Sequence, residues 1–135
     1  EAPGTSPDAW VRQKKLNLDK FKPVMNGKEV FKNAVTRFPE VIEEAMAEND
    51  LSFDDIKLII PHQANYRISQ AVAKRMGVGM DMIYSNIHKY GNTTAASIPI
   101  ALSEALVEGR ISKGDHIILA AFGAGFTWAS SAIKW

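Results

Sequence analysis

Ile56-Lys57-Leu58-Ile59-Ile60-Pro61-His62-Gln63-Ala64-Asn65 is the stretch whose reading decides the fold. Ile56 to Ile60 is apolar except at Lys57, the pattern of a strand with both faces covered, and Pro61 is expected to stop it. Four residues of polar or small character follow. A helix then spans Arg67 to Met76, with Gly77 as its C-terminal stop. A buried strand running straight into a helix argues for α/β layers.

The flanking sequence extends this pattern. Upstream, apolar residues from Val30 to Met46 recur at three- and four-residue spacing, an amphipathic helix starting near Glu29. Pro39 predicts a kink or a break near Arg37. Asn49-Asp50 ends that helix, and Ser52, Asp54 and Asp55 read as a short helical turn. Further back, Phe21 to Met25 reads as a short strand closed by the Asn26-Gly27 turn. Downstream, Met82 to Asn86 reads as a short strand and Thr94 to Glu108 as a helix ended by Gly109. His116 to Phe122 is another buried strand, and Phe126 to Trp135 is the last. The expected architecture is α/β: a mixed five-stranded sheet layered with helices.

Composition sets limits on function. At 135 residues with 46% hydrophobic content, the chain suffices for one domain with a packed core. A formal net charge of +1, with the charges interspersed, speaks against nucleic-acid and polybasic membrane partners. The apolar runs are too short to span a bilayer. The absence of cysteine excludes a disulfide framework and thiolate metal sites, and fits a cytoplasmic location. His62, His88 and His116 lack metal-ligand spacing, so no metal is expected. The chain begins at Glu1, and Glu1 to Asp8 carries Pro, Gly, Ser and Thr in linker-like proportion. Residues 1–20 are therefore expected to be a linker or irregular segment and 21–135 the domain, together the back half of something larger.

Three strings carry the chemistry: Pro61-His62-Gln63-Ala64-Asn65, Gly91-Asn92-Thr93-Thr94-Ala95-Ala96-Ser97 and Ala121-Phe122-Gly123-Ala124-Gly125-Phe126-Thr127-Trp128. They supply a histidine, an asparagine and a glycine-rich backbone loop, the parts that stabilise a developing oxyanion. No obvious nucleophile accompanies them. Taken singly, His62 reads as a structural residue after a strand, Gly91-Asn92 as a turn, and the two glycines as a hairpin.

In this order the three strings resemble the C-terminal half of a β-ketoacyl-acyl-carrier-protein synthase III, in the thiolase-fold superfamily. The likeness runs from about Met25 to Trp135 and includes Asn26-Gly27-Lys28-Glu29-Val30-Phe31. The resemblance implies a thiolase-like half normally paired with a second similar half, which carries the catalytic cysteine. It implies acyl transfer from a thioester followed by decarboxylative condensation with a malonyl thioester, in fatty-acid or polyketide-type biosynthesis. His62 and Asn92 take the roles of donors to the malonyl thioester carbonyl. Gly123, Ala124 and Gly125 take that of a backbone oxyanion loop, with Ala124 where the family usually has glycine. Phe122 would border the acyl group, Asn65 would lie near the pantetheine arm, and Arg67 would meet the carrier protein or coenzyme A.

No metal or redox cofactor is implied. Coenzyme A or phosphopantetheine thioesters are the substrates, acyl carrier protein is a partner, and the complete enzyme is a homodimer. If a partner half covers the Thr94 to Glu108 helix, Ile98, Leu102 and Leu106 are the residues it should bury. Two rival readings stand beside this one: a non-catalytic subunit that shapes the acyl tunnel or docks a carrier protein, and an acyltransferase using an alcohol or amine acceptor. The residues leave open which imidazole nitrogen of His62 faces substrate.

Overall fold

A computed structural model describes residues 26–135. The expected linker over 1–20 and the expected strand over Phe21 to Met25 lie outside the described residues. Helix α1, Gly27–Ala47, starts where Asn26 accepts the Glu29 N–H at 3.3 Å, so the residue read as a turn former is the helix N-cap. Ala34, Phe38, Val41, Ile42 and Met46 form its buried stripe. The helix continues through Pro39 without the expected break. Pro39 is itself buried beside Phe38 and Val41, and packing of that stripe outweighs the hydrogen bond the ring removes.

A single 3-10 turn, Phe53–Asp55, leads into strand β1, Ile56–Pro61. Helix α2 is Tyr66–Met76, closed by Gly77 at φ 71°. A one-turn helix α3, Ile87–Tyr90, precedes a 3-10 turn at Thr94–Ala96 and helix α4, Ser97–Val107. Strands β2, His116–Gly123, and β3, Thr127–Lys134, complete the chain.

The sheet of the described residues is β1-β2-β3, parallel between β1 and β2 and antiparallel between β2 and β3. It is mixed, as expected, but has three strands. The segment read as a strand over Met82 to Asn86 makes one parallel bridge, Ile59 to Ile83, with Ile59 bonded to Met82 and Tyr84 on either side. Beyond Tyr84 the segment is tied elsewhere: the Asn86 N–H donates to Gln63 Oε1. Pro61 does not stop β1 but is its last paired residue, opposite Ala120. Lys57 is exposed where the register slips between Ile56 and Leu58, a bulge that lets a charged side chain leave an otherwise buried strand.

Alternation along the strands feeds two cores. Ile56, Ile59, Ile118, Ala120 and Phe122 pack with α1 and α2. Leu58, Ile60 and Ile117 pack with Ala101 and Ala105 of α4. Helices therefore cover both faces of the sheet, in keeping with the apolar run of β1. Ile98, Leu102 and Leu106 lie partly buried against the second core, so this chain's own sheet already takes much of their apolar surface.

Candidate functional site

The site lies at the carboxyl edge of the parallel pair, where α/β sheets commonly bind ligands. The His62 N–H donates to Ala120 O at 2.7 Å, extending the ladder one residue beyond Pro61. This fixes the His62 backbone to the sheet, and the side chain is half-buried. Nδ1 of His62 lies 2.5 Å from Oγ of Ser97, the first residue of α4. Ser97 is 2% exposed. The same oxygen receives the Gln63 N–H at 3.2 Å. Burial alone holds the His62 pKa below its ordinary value of 6.5, so the imidazole is neutral at pH 7.

Gln63 is buried with both ends of its amide engaged. Nε2 donates to Pro61 O at 2.7 Å and Tyr84 O at 3.2 Å, while Oε1 accepts the Asn86 N–H at 3.1 Å. The end of β1 is thereby tied to the segment that leads toward Asn92.

Asn92 follows Gly91, whose φ of 67° and ψ of −158° belong to a region that is essentially glycine-only. Asn92 Oδ1 accepts the Thr94 N–H at 2.9 Å, and Thr94 takes a φ of 52° to present it. The carbonyl end of the amide is thus occupied, and among the described residues Nδ2 donates to no partner. Just upstream, Glu104 braces α3: Oε2 accepts from Asn86 Nδ2 and Oε1 from Tyr90 Oη, both at 2.7 Å. Lys89 Nζ adds a contact to Oε1 at 3.2 Å. These donors hold the Glu104 carboxyl down at about 2.

The third string leaves β2 at the same edge. Positive φ falls on Gly125 (79°) and Phe126 (53°) and not on Ala124. Ala124 therefore occupies backbone open to any residue, and it has a backbone N–H to offer. The loop is exposed, with Thr127 Oγ1 donating to Ala124 O at 3.2 Å. Phe122 beneath it is buried, stacked on Trp128 at 6.4 Å and tilted on Phe38 at 6.2 Å.

The remaining site residues follow His62. Asn65 is the N-cap of α2, its Oδ1 accepting the Arg67 N–H at 2.9 Å, and both residues are exposed. His116 begins β2, at the opposite end of that strand from the Gly123 to Gly125 loop. Sequence reasoning passed over Ser97 and Gln63. Both stood inside the strings it quoted, but nothing in a serine or glutamine alone announces a buried partner 35 residues away.

Residues 46–135 match the family described as 3-oxoacyl-(acyl-carrier-protein) synthase III C terminal. The chain is 53% identical over 125 residues to a β-ketoacyl-(acyl-carrier-protein) synthase III of Clostridium tetani, covering 93% of this chain and 37% of that protein. It is 51% identical over 111 residues to the one of Roseiflexus castenholzii, covering 82% and 34%. A crystal structure of the synthase III from Thermus thermophilus superposes with a TM-score of 0.81 at 47% identity, covering 83% of this chain and 35% of that one. The chain thus spans about a third of the length of the curated relatives it matches. The expected thiolase-like α/β half agrees with these structural relatives.

Proposed function

We propose a function for this chain on one premise: it belongs to the family of 3-oxoacyl-(acyl-carrier-protein) synthase III C-terminal domains. In this reading it is the oxyanion-stabilising part of a condensing acyltransferase of fatty-acid or polyketide-type biosynthesis. A cysteine on a second half, whether of the same polypeptide or a separate subunit, attacks an acyl thioester and becomes acylated, releasing the thiol. A malonyl thioester on acyl carrier protein then loses carbon dioxide. The bonding pair left behind moves onto the thioester carbonyl, giving an enolate. The imidazole N–H of His62 and Nδ2 of Asn92 donate to that oxygen. The enolate carbon attacks the acyl-cysteine carbonyl, the new carbon–carbon bond forms, and the cysteine leaves as thiolate.

The observation that carries this reading is the state of the two donors. His62 is neutral and anchored at Nδ1, and Asn92 has its carbonyl end occupied. Donors held in place before the reaction favour developing charge over the uncharged ground state. The Ala124 N–H and the cysteine's own N–H would serve the tetrahedral oxyanion of acyl transfer in the same way. Phe122, through its buried stack, would back that loop and border the acyl chain. Asn65 and the exposed Arg67 would meet the pantetheine arm and the acidic carrier or the coenzyme A phosphates. Homodimerisation of the complete enzyme, and a cytoplasmic location, belong to the same proposal.

The test is malonyl-thioester decarboxylation by the complete, cysteine-bearing enzyme. His62→Ala and Asn92→Ala should each lower kcat by roughly 100- to 1,000-fold. Full decarboxylation in both variants would overturn the mechanism.

A further inference from the structure

We propose that Ser97 is a positioning residue that fixes His62 in the tautomer with its proton on Nε2. The proposal rests on the reading of His62 as an N–H donor. A serine hydroxyl has one hydrogen to give and two lone pairs to receive. At Ser97 the Gln63 N–H occupies one lone pair, at 3.2 Å. The hydrogen must also find an acceptor, because the residue is 2% exposed and a buried donor left unpaired is costly.

Serines in helices commonly turn to the carbonyl four residues back. Here that carbonyl, Thr93 O, already accepts the Ala96 N–H at 3.1 Å and the Thr94 hydroxyl at 2.8 Å. Among the described residues, His62 Nδ1 is the partner that Oγ has for its hydrogen, at 2.5 Å. The reverse arrangement, Nδ1–H donating to Oγ, would leave the hydroxyl hydrogen with no acceptor in a dry place. The hydroxyl therefore donates to Nδ1. With the ring neutral, its single proton is on Nε2.

Gln63 makes this assignment rigid. Its side-chain amide is bonded at both ends to backbone of the β1 terminus and of the Tyr84 to Asn86 segment. With its side chain held there, its backbone N–H meets Ser97 Oγ and occupies one of the two lone pairs. Gln63, Ser97 and His62 thus form one chain of hydrogen bonds, from the Gln63 N–H to Ser97 Oγ and from the Ser97 hydroxyl to His62 Nδ1. Ser97 does not touch substrate in this scheme; it determines which ring nitrogen can.

Histidine-selective nitrogen-15 labelling of the chain tests the proposal through long-range nitrogen–proton correlation spectra at pH 7. A His62→Gln variant identifies the His62 signals among the three histidines. Nδ1 should resonate as a bare nitrogen and Nε2 as a protonated one. Ser97→Ala should average the two nitrogens toward a mixture of tautomers, and Ser97→Thr, which keeps the hydroxyl, should restore the original pattern. A proton on Nδ1 in the unaltered chain overturns the proposal, and that spectrum decides alone if Ser97→Ala fails to fold. An unchanged tautomer pattern in folded Ser97→Ala overturns it equally.

In the complete enzyme, Ser97→Ala should lower kcat for decarboxylation about tenfold, the effect of one buried hydrogen bond, with KM little altered. An unchanged kcat there would also overturn the positioning role. Absence of decarboxylation by the unaltered complete enzyme would instead overturn the proposed function, leaving the tautomer result standing.

Discussion

A histidine can serve as a neutral hydrogen-bond donor only while it carries a single proton, and the surroundings of His62 protect that state. Its folded pKa lies below 6.5 because of burial. Between 6.5 and that lower value the unfolded chain takes up a proton that the folded chain refuses. Stability is therefore complete above pH 6.5 and falls as the pH drops through that window. Urea midpoints measured from pH 7 downward should show this loss, and His62→Gln should lack its share of it. The acid limb of decarboxylation by the complete enzyme should likewise lie below the ordinary histidine value. Gly91 makes a second residue-scale prediction. Among the described residues, no atom beyond the adjoining residues lies within 4 Å of a Cβ added there, so the backbone conformation sets the penalty. Gly91→Ala should cost about 1–3 kcal/mol in denaturant melts and displace Asn92, lowering kcat as well.

At the scale of elements, the site depends on how short pieces are tied together. Glu104 on α4 accepts from Asn86, Lys89 and Tyr90, holding α3 where Gly91 and Asn92 follow. Its carboxyl, lowered from 4.5 to about 2, contributes stability above 4.5 that is lost as pH falls toward 2. Glu104→Ala should lower kcat with less effect on KM, as Asn92 loses its footing. Asn65 illustrates a residue with two readings. Removing the cap with Asn65→Ala should cost about 1 kcal/mol, measured by chemical denaturation. Asn65→Asp should keep the cap and stability, so a rise in KM in that variant would mark the contact proposed for the pantetheine arm.

The helices and principal strands were legible because burial imposes a period on sequence, as the stripe of α1 and the run of β1 show. Pro39 was misleading because propensity is local while the packing that overrides it is not. The Met82 to Asn86 segment was overread for a similar reason: Met82 and Tyr84 bond to Ile59 as a strand would, but farther along Asn86 is tied to Gln63 and Glu104. The strings that hold His62, Asn92 and Ala124 were legible as marks of the family through their order. Ser97 was not, since its importance arises only when α4 docks beside the end of β1.

At the scale of the whole molecule, one sheet packed between α1 and α2 on one side and α4 on the other forms the floor of the candidate site. Phe122 links that floor to the loop above, with its ring set among Phe38, Phe126 and Trp128. Phe122→Ala should destabilise the fold by about 3–5 kcal/mol, read from thermal or urea unfolding.

The parallel pairing of β1 with β2, which joins Ile56 to His116 and Pro61 to Ala120, also has a consequence in time. The intervening chain contains α2, α3 and α4, all built from local contacts, whereas the strands must find each other across everything between them. Pairings so distant in sequence form slowly during folding. On refolding from denaturant, the helical signal should recover first, and the His62–Ser97 contact should appear only in the slower phase that closes the sheet. Until that phase is complete, the protein has its helices but not the juxtaposition of β1 and α4 on which the proposed oxyanion site depends.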